Sequence, residues 1–141
     1  HISIVVSGLD EIQESERKLI DKLMTKLRTL IENTGVGVIA IVHLKRTTGQ
    51  SSGQSYNEGK QVSLSDLRGS GALEQLSDVV IALERNQQGD NPNESQVRVL
   101  KNRPIGVTGV ADTLFYNPDT GRLLPQDAAA FPPNDDENND F

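Results

Sequence analysis

The sequence predicts an α/β fold with a mostly parallel sheet that is closed by antiparallel strands. Residues 2–6 and 36–42 are almost uninterrupted apolar runs, which is typical of strands covered on both faces. Between them, residues 14–33 repeat apolar side chains at helical spacing, with charged side chains on the opposite face. A strand, a long amphipathic helix and a second strand form a βαβ unit, and the two strands of such a unit run parallel.

The predicted helix has recognisable ends and a core face. Glu14 and Glu16 place negative charge in its first turn, at the positive end of the helix dipole. Gly35, which follows Asn33 and Thr34, supplies a C-terminal stop. The predicted core face consists of Leu19, Ile20, Leu23, Met24, Leu27, Leu30 and Ile31.

Shorter elements are predicted in the rest of the chain. Residues 46–61 form a long polar loop, and such a loop inside a compact domain is usually functional or disordered. A glycine-rich turn then opens a short helix that ends near residue 76. The remaining elements are a buried strand at 79–83, antiparallel strands at 96–103 and 110–116 linked by a turn at 104–106, and a tight turn at 117–121.

The negative charge of the chain is concentrated at its C-terminus. The net charge is −6, but residues 125–141 hold five acids and no Lys or Arg, which leaves 15 acids and 14 bases in residues 1–124. The acidic segment is poor in core-forming residues, a composition typical of disorder. We therefore predict a domain at 1–124 and a disordered acidic tail at 125–141. Because the chain opens inside a predicted core strand, we also expect the domain to be truncated at His1.

The composition excludes several classes of protein. Without cysteine, the chain holds no disulfide, no thiolate metal site and no cysteine nucleophile. No apolar run approaches the roughly 20 residues of a membrane helix, and the N-terminus lacks a secretory pattern. We expect no membrane association and a cytoplasmic location.

His43 is a first candidate for chemistry, because ligands of open α/β sheets bind beyond the C-terminal ends of the strands. It directly follows the predicted strand at 36–42 and precedes Lys45 and the polar loop. The alternative is a structural histidine bonded to a main-chain carbonyl.

The segment Asp66-Leu67-Arg68-Gly69-Ser70-Gly71-Ala72 is a second candidate. Glycines at alternate positions let main-chain N–H groups approach an anion, and a following helix N-terminus favours phosphate. The alternative is a plain turn and helix cap.

Basic side chains lie along the predicted strand at 96–103. Lys101 and Arg103 share one face, and Arg98 points to the other. The alternative to a functional role is a solvated edge, which is where such a pair usually occurs.

Several ordered stretches cover nearly the whole chain. The longest is Ile81-Ala82-Leu83-Glu84-Arg85-Asn86-Gln87-Gln88-Gly89-Asp90, and the others are 1–7, 21–27, 43–45, 65–73 and 75–78, with an acidic C-terminus that ends in phenylalanine. Together they resemble the T-seven-type phage helicase–primases, whose helicase half is a RecA-like hexameric motor. A match of this length and order is far more specific than any single short motif.

The resemblance implies the C-terminal part of a RecA-like P-loop NTPase fold, with the Walker B strand at the start of the chain. The Walker B aspartate would precede His1, and the phosphate loop and catalytic glutamate would lie further upstream. The 141 residues themselves contain no Gly-x-x-x-x-Gly-Lys-[Ser/Thr] phosphate loop and no paired-histidine metal site.

It also implies roles for individual residues in nucleotide hydrolysis. His43 corresponds to the histidine that senses the γ-phosphate, and Gln75 to the glutamine that links the nucleotide state to the DNA loops. Arg103 corresponds to the arginine finger that is offered to the neighbouring subunit. Arg85 and Tyr116 correspond to the pair that sandwiches the nucleotide base.

The implied partners are single-stranded DNA, a homo-hexameric ring and the replicative DNA polymerase. Lys45, Arg68 and Gly69 correspond to the loops that line the DNA channel, and Phe141 to the polymerase-docking end of the tail. The implied substrate and cofactor are ATP or dTTP with Mg²⁺, whose ligands lie outside this chain, and the implied location is the cytoplasm of an infected bacterium.

Two other functions stay open from the residues alone. One is a non-catalytic module that binds DNA or polymerase, and the other is a different RecA-like ATPase such as a recombinase. The Arg85 segment and the tail favour the helicase over the recombinase. A phosphate-loop motif in the sequence upstream of His1 would exclude the non-catalytic module.

Overall fold

The computed structural model of the chain describes residues 1–7, 15–46, 54–69 and 71–125. The helices of this part are α1 (Ile2–Ser7), α2 (Glu16–Thr34) and α3 (Gly71–Leu76), with 3-10 turns at Tyr56–Glu58 and Leu64–Asp66. The strands are β1 (Val79–Arg85), β2 (Glu94–Asn102), β3 (Gly109–Asn117) and β4 (Arg122–Pro125). None of these described helices has the length and apolarity that crossing a membrane requires.

The four strands form an antiparallel sheet in the order β1-β2-β3-β4, so the predicted mostly parallel sheet is wrong. Short turns connect consecutive strands, which antiparallel pairing permits and parallel pairing does not. The strands predicted at 79–83, 96–103 and 110–116 are confirmed, and β4 is an additional one. The predicted burial of the first strand is wrong, because one face of β1 is uncovered among the described residues and leaves Val79, Ile81 and Leu83 exposed. The solvated-edge alternative required the basic residues of β2 to lie on an edge strand. β2 instead lies between β1 and β3, so this alternative is wrong.

α1 replaces the strand predicted at residues 2–6. Its β-branched residues favour a strand, but a strand needs a neighbour for its N–H and C=O groups. Among the described residues no strand lies beside this segment, and a helix satisfies those groups locally. The spacing of four residues also buries Ile2 and Val6, which are 6% and 3% exposed, while Ile4 and Val5 face outwards.

The apolar run at 36–42 is not a strand either, so the predicted βαβ unit is wrong for the described residues. The Ile2 N–H donates to the Ile41 carbonyl at 3.0 Å, and this main-chain bond holds the run beside α1. Val42 packs against the core, whereas Ile39 is 98% exposed. A parallel strand needs at least one hydrogen-bonded neighbouring strand, and the described sheet supplies none here.

The predicted amphipathic helix is confirmed as α2. Gly35 ends it at φ 70°, and its N–H donates to the Ile31 carbonyl at 2.8 Å. Leu30, which was predicted to lie on the core face, is 47% exposed. The core joins the three helices and consists of Ile2, Val6, Ile20, Met24 and Leu73.

The second half ends in the predicted tight turn and in β4. The Gly121 N–H donates to the Asn117 carbonyl at 2.8 Å, and Gly121 has the positive φ of 68° that such a turn favours. Pro125 is the last residue of β4 and pairs with Leu114. Residues 126–141, with Phe141, lie outside the described part of the chain.

Candidate functional site

Arg85 and Tyr116, predicted to sandwich a nucleotide base, contact each other directly. Arg85 is the last residue of β1 and Tyr116 lies near the end of β3, on either side of the first residues of β2. The Arg85 Cζ atom lies 4.5 Å from the centroid of the Tyr116 ring, a cation–π contact. The structure therefore brings together two residues that the sequence separates by a hairpin and a strand.

Asn93 and Pro92 hold this pair in place. The Asn93 side-chain oxygen accepts from Arg85 Nη2 at 3.0 Å, and the Pro92 carbonyl accepts from Arg85 Nε at 2.6 Å. The Asn93 carbonyl accepts the main-chain N–H of Tyr116 at 2.8 Å. One turn thus fixes both planar groups. A base inserted between them would need about 7 Å, two van der Waals contacts, so the guanidinium must move before a base enters.

Arg103 and Lys101 both bind the C-terminal end of α3. Lys101 Nζ donates to the Glu74 and Gln75 carbonyls at 2.5 and 3.3 Å, and Arg103 Nη2 also donates to the Gln75 carbonyl. The last carbonyls of a helix lack intrahelical partners and carry its negative dipole end, so cations are favoured there. Gln75 and Arg103, predicted as coupling residue and finger, are therefore joined through the main chain of Gln75, while the side chain of Gln75 is exposed.

Asp78 links Arg103 to α2. Its Oδ1 atom lies 3.2 Å from Arg103 Nη1 and 3.0 Å from Arg28 Nη1, and its Oδ2 atom lies 2.9 Å from Arg28 Nη1. Arg28 also pairs with Glu32 at 2.7 Å. The hydrogen bond to Glu32, followed by attraction to Asp78, raises the pKa of Arg28. Asp78 is a residue that sequence reasoning did not single out.

The predicted DNA-contacting residues lie on two segments that pair with each other. Leu44 and Leu67 form an isolated antiparallel bridge, with the Arg68 N–H donating to the His43 carbonyl at 2.8 Å. Both basic side chains are exposed. Lys45 Nζ donates to the Ser65 carbonyl at 2.5 Å.

Two further contacts tie these segments to the N-terminal helices. Arg68 Nη2 lies 3.2 Å from a carboxylate oxygen of Glu16 on α2. The His43 ring stacks on the His1 ring, with centroids 4.0 Å apart and planes 15° from parallel. In the described residues no hydrogen bond, ion pair or ring contact joins this group to the Arg85 pair or to Arg103.

Gly69 stands where a larger residue does not fit. Its φ is 128°, and an added Cβ atom would lie 2.7 Å from the Cδ1 atom of buried Ile20. The loop that carries Arg68 is therefore packed on the helical core, and this packing fixes the position of the Arg68 main chain.

The substitution Gly69→Ala is expected to destabilise the fold by about 1–3 kcal/mol, because it adds backbone strain and displaces Ile20. Thermal unfolding of the full-length protein measures the loss. Gly71→Ala is the matched control, since nothing lies within 4 Å of its Cβ position and alanine suits a helix better than glycine does. Equal melting temperatures for the two variants would show that the packing at Gly69 is not limiting.

A cleft of about 470 Å³ lies between the 3-10 turn at Tyr56–Glu58 and the β1–β2 hairpin, and Arg85 forms part of its wall. On the hairpin side of this cleft, Arg98 and Glu84 pair at 2.8 Å, and their side chains are only 17% and 11% exposed. Glu84 also accepts the Val62 N–H at 2.7 Å. Glu84 thus ties the segment after the turn to the sheet and Arg98 holds Glu84, which is a structural role for both.

Two carboxylates cap the 3-10 turns. The hydrogen bonds from the main chain and then the side chain of Ser55 lower the pKa of Glu58. Burial opposes ionisation of Asp66, but hydrogen bonds from Ser63 and Tyr56 and the attraction of Lys60 together outweigh it and lower the pKa of Asp66. In the described part of the chain, no group of three or more His, Cys, Asp or Glu residues is placed to hold a metal ion.

Comparisons with known proteins place this architecture in a family. The sequence profile of the DnaB-like helicase C-terminal domain matches residues 2–122. The chain belongs to this family. A DNA helicase/primase of Enterobacteria phage T3 is 55% identical over 125 residues, which is 89% of this chain and 21% of that protein. The predicted resemblance to phage helicase–primases is confirmed.

Bacterial relatives and solved structures agree with the family. The replicative DNA helicase DnaB of Geobacillus stearothermophilus is 27% identical over 135 residues, 92% of this chain and 28% of that protein. A solved ATPase domain superimposes with a TM-score of 0.67 at 27% identity and covers 82% of this chain and 39% of that one. A DnaB-like replicative helicase, solved in a study of its interactions with primase, gives the same TM-score over 81% of this chain and 26% of that one. This DnaB-like domain therefore spans well under half the length of the relatives it matches.

Sequence reasoning predicted Arg85, Tyr116 and Arg103 as site residues through the family resemblance, but it did not indicate the residues that contact them. Asn93 and Asp78 act through contacts with distant parts of the chain. The one sequence signal for Asp78 is its place at the end of the matching stretch at 75–78, directly before β1.

Proposed function

We propose that the chain is the C-terminal part of the motor of a hexameric replicative DNA helicase, driven by nucleoside triphosphate hydrolysis. The observation that carries the proposal is the DnaB-like helicase C-terminal family match over residues 2–122. The motor translocates on single-stranded DNA and unwinds duplex at a phage replication fork.

Arg85 and Tyr116 bind the nucleotide base. A guanidinium and a phenol ring present flat faces that stack on any purine or pyrimidine without reading its edge, which suits a motor with relaxed base preference. Because the Arg85 guanidinium contacts the Tyr116 ring at 4.5 Å, it must break its hydrogen bonds to Asn93 and Pro92 before a base can enter between the two groups.

Arg103 acts on the nucleotide of the neighbouring subunit. A guanidinium that meets the transferring phosphoryl group stabilises charge that develops in the transition state. His43 and Gln75 sense the phosphate and relay its presence. The main-chain contact between Gln75 and Arg103 supports a direct connection between the sensing residue and the finger.

Lys45, Arg68 and Gly69 contact the DNA strand in the central channel. Lys45 and Arg68 are exposed cations on two paired segments, and cations at such positions neutralise backbone phosphates without reading sequence. Gly69 packs closely on the helical core, and this packing sets the path of the loop that carries Arg68.

The substrate is ATP or dTTP with Mg²⁺, and the described residues fit only part of that group. Arg85 and Tyr116 supply planar faces for the base, and Arg103 supplies a donor for phosphate. Mg²⁺, when bound, would neutralise charge on the phosphates, and no group of three or more His, Cys, Asp or Glu residues in the described part of the chain is placed to hold it.

The subunits form a homo-hexamer, since a finger in trans requires a neighbour. The acidic tail docks the replicative DNA polymerase through Phe141. The site of action is the cytoplasm of an infected bacterium.

Replacing Gln75 with alanine in the full-length protein tests the coupling at the centre of this proposal. We expect DNA-stimulated hydrolysis and unwinding of a forked duplex to fall more than DNA-free hydrolysis does, because Gln75 relays phosphate occupancy to the DNA loops. Steady-state hydrolysis with and without single-stranded DNA, and strand displacement, give the three rates.

Gln88→Ala is the matched control, an exposed glutamine in the β1–β2 turn. An equal loss in the DNA-free and DNA-stimulated assays would indicate general destabilisation and contradict coupling. Absence of nucleotide-driven unwinding by the unsubstituted full-length protein would overturn the proposed function itself.

A further inference from the structure

Asp78 occupies a position where three elements of the fold meet. It lies between the end of α3 and the start of β1, directly opposite Arg103, because the β1–β2 register pairs Val79 with Asn102. The Arg103 N–H donates to the Asp78 carbonyl at 2.8 Å, so the ladder extends by one step to this pair. Facing residues of an antiparallel pair have neighbouring Cβ atoms, which brings the two side chains together.

The two contacts of the Arg103 guanidinium fix its plane and leave donors for another partner. One N–H of Nη1 points to Asp78, and one N–H of Nη2 points to the Gln75 carbonyl. A guanidinium has five N–H groups, so three are left. A residue that must reach a phosphate across a subunit interface needs this combination of a held plane and available donors.

Asp78 is itself held from the other side. Arg28 on α2 contacts both of its carboxylate oxygens, at 3.0 and 2.9 Å. The carboxylate therefore cannot rotate away from Arg103 without breaking two contacts to α2. Through Asp78, the orientation of Arg103 depends on α2, the longest helix of the described residues.

We propose that Asp78 is the positioning residue of Arg103, and that Arg28 orients Asp78. This inference rests on the proposed function, in which Arg103 acts on the neighbouring subunit's nucleotide. Asp78 touches no nucleotide; it holds the guanidinium at the angle from which its other N–H groups meet the transferring phosphoryl group.

The alternative is an ion-pair network that only stabilises the fold. The side chains of Arg28, Asp78 and Arg103 are 32%, 46% and 47% exposed, and exposed ion pairs contribute little to stability. Loss of Asp78 should therefore leave the fold intact, and a strong effect on hydrolysis would come from the position of Arg103.

The test compares Asp78→Asn with Arg28→Gln in the full-length protein. Asp78→Asn keeps the shape but removes the charge that orients Arg103, and we expect kcat for nucleotide hydrolysis to fall about 10- to 100-fold with KM near wild type. Arg28→Gln removes the shorter of the two ion pairs of Asp78, and with it the contacts that orient Asp78, but leaves the Asp78–Arg103 pair, so we expect a measurable fall in kcat that is smaller than that of Asp78→Asn. A stabilising network would instead make the two variants alike in kcat and in melting temperature.

Arg103→Ala, alone and combined with Asp78→Asn, separates this inference from the proposed function. If Asp78 acts through Arg103, the double variant is no slower than Arg103→Ala, because the second change has nothing left to misplace. Wild-type hydrolysis by Arg103→Ala would overturn the finger role. Collapse of hydrolysis in Arg103→Ala with a wild-type kcat in Asp78→Asn would overturn the positioning role alone.

Discussion

Replacing Arg103 with alanine in the full-length protein is expected to lower nucleotide hydrolysis by about 10³-fold or more, while nucleotide binding stays near wild type. The reason is that a finger arginine meets charge that exists in the transition state and not in the bound substrate, so its loss raises the barrier without weakening binding. Single-turnover hydrolysis and equilibrium binding of a nonhydrolysable analogue measure the two quantities separately.

Mixed rings test whether Arg103 acts in trans. Arg103→Ala subunits keep their own phosphate loops, and subunits with a disabled phosphate loop keep their fingers. At an interface of the right order one intact site forms, so the mixture should hydrolyse nucleotide faster than either parent. Arg17→Ala is the matched control, an exposed arginine on α2. A mixture as inactive as its parents, with both parents assembling normally, would contradict the action in trans.

The sequence predicted those parts of the fold that depend on local interactions. α2 carries its own apolar periodicity and its own glycine stop, and the three strands predicted at 79–83, 96–103 and 110–116 lie in one meander whose partners are adjacent in the chain. The alternation of apolar and polar residues and the residue types at the turns predict short-range strand pairing of this kind.

The two apolar runs at 2–6 and 36–42 show where such prediction fails. Both have the composition of buried strands, but a strand also depends on neighbours that the run itself does not specify. With no adjacent strand in the described residues, the first run forms α1 and the second follows an irregular path beside it. Their apolar side chains remain exposed in part, with Ile39 at 98%.

The resemblance supplied the residues predicted for the candidate site but not the contacts between them. The resemblance assigned roles to Gln75 and Arg103 one residue at a time. It did not indicate that the main-chain carbonyl of Gln75 binds the Arg103 guanidinium, or that Asp78 shares one carboxylate between Arg28 and Arg103. Connections of this kind depend on the register between β1 and β2 and on the packing of α2, neither of which a linear motif contains.

Deleting Phe141 from the full-length protein is expected to weaken polymerase binding by about 1–3 kcal/mol, roughly 5- to 150-fold in Kd. An aromatic residue at the end of an acidic run gives no gain in solubility, whereas an aromatic anchor flanked by carboxylates suits a pocket beside a basic patch. The remaining electrostatic contact should weaken further as salt is raised, because screened charges attract less. Surface-binding measurements with the cognate polymerase, at low and moderate salt, provide the Kd values.

Phe131→Ala is the control for this deletion, because it removes the other phenylalanine of the same tail and leaves the terminal aromatic and all five tail acids in place. If Phe141 is the anchor, Phe131→Ala binds polymerase more tightly than the deletion does, and both retain the same salt dependence, since the charges are unchanged. Substituting Asn for Asp135, Asp136 and Asp140 should flatten that salt dependence while Phe141 still contributes its apolar share. A deletion of Phe141 that leaves Kd unchanged at both salt concentrations would contradict the docking role of Phe141 and leave only a solubilising role for the tail.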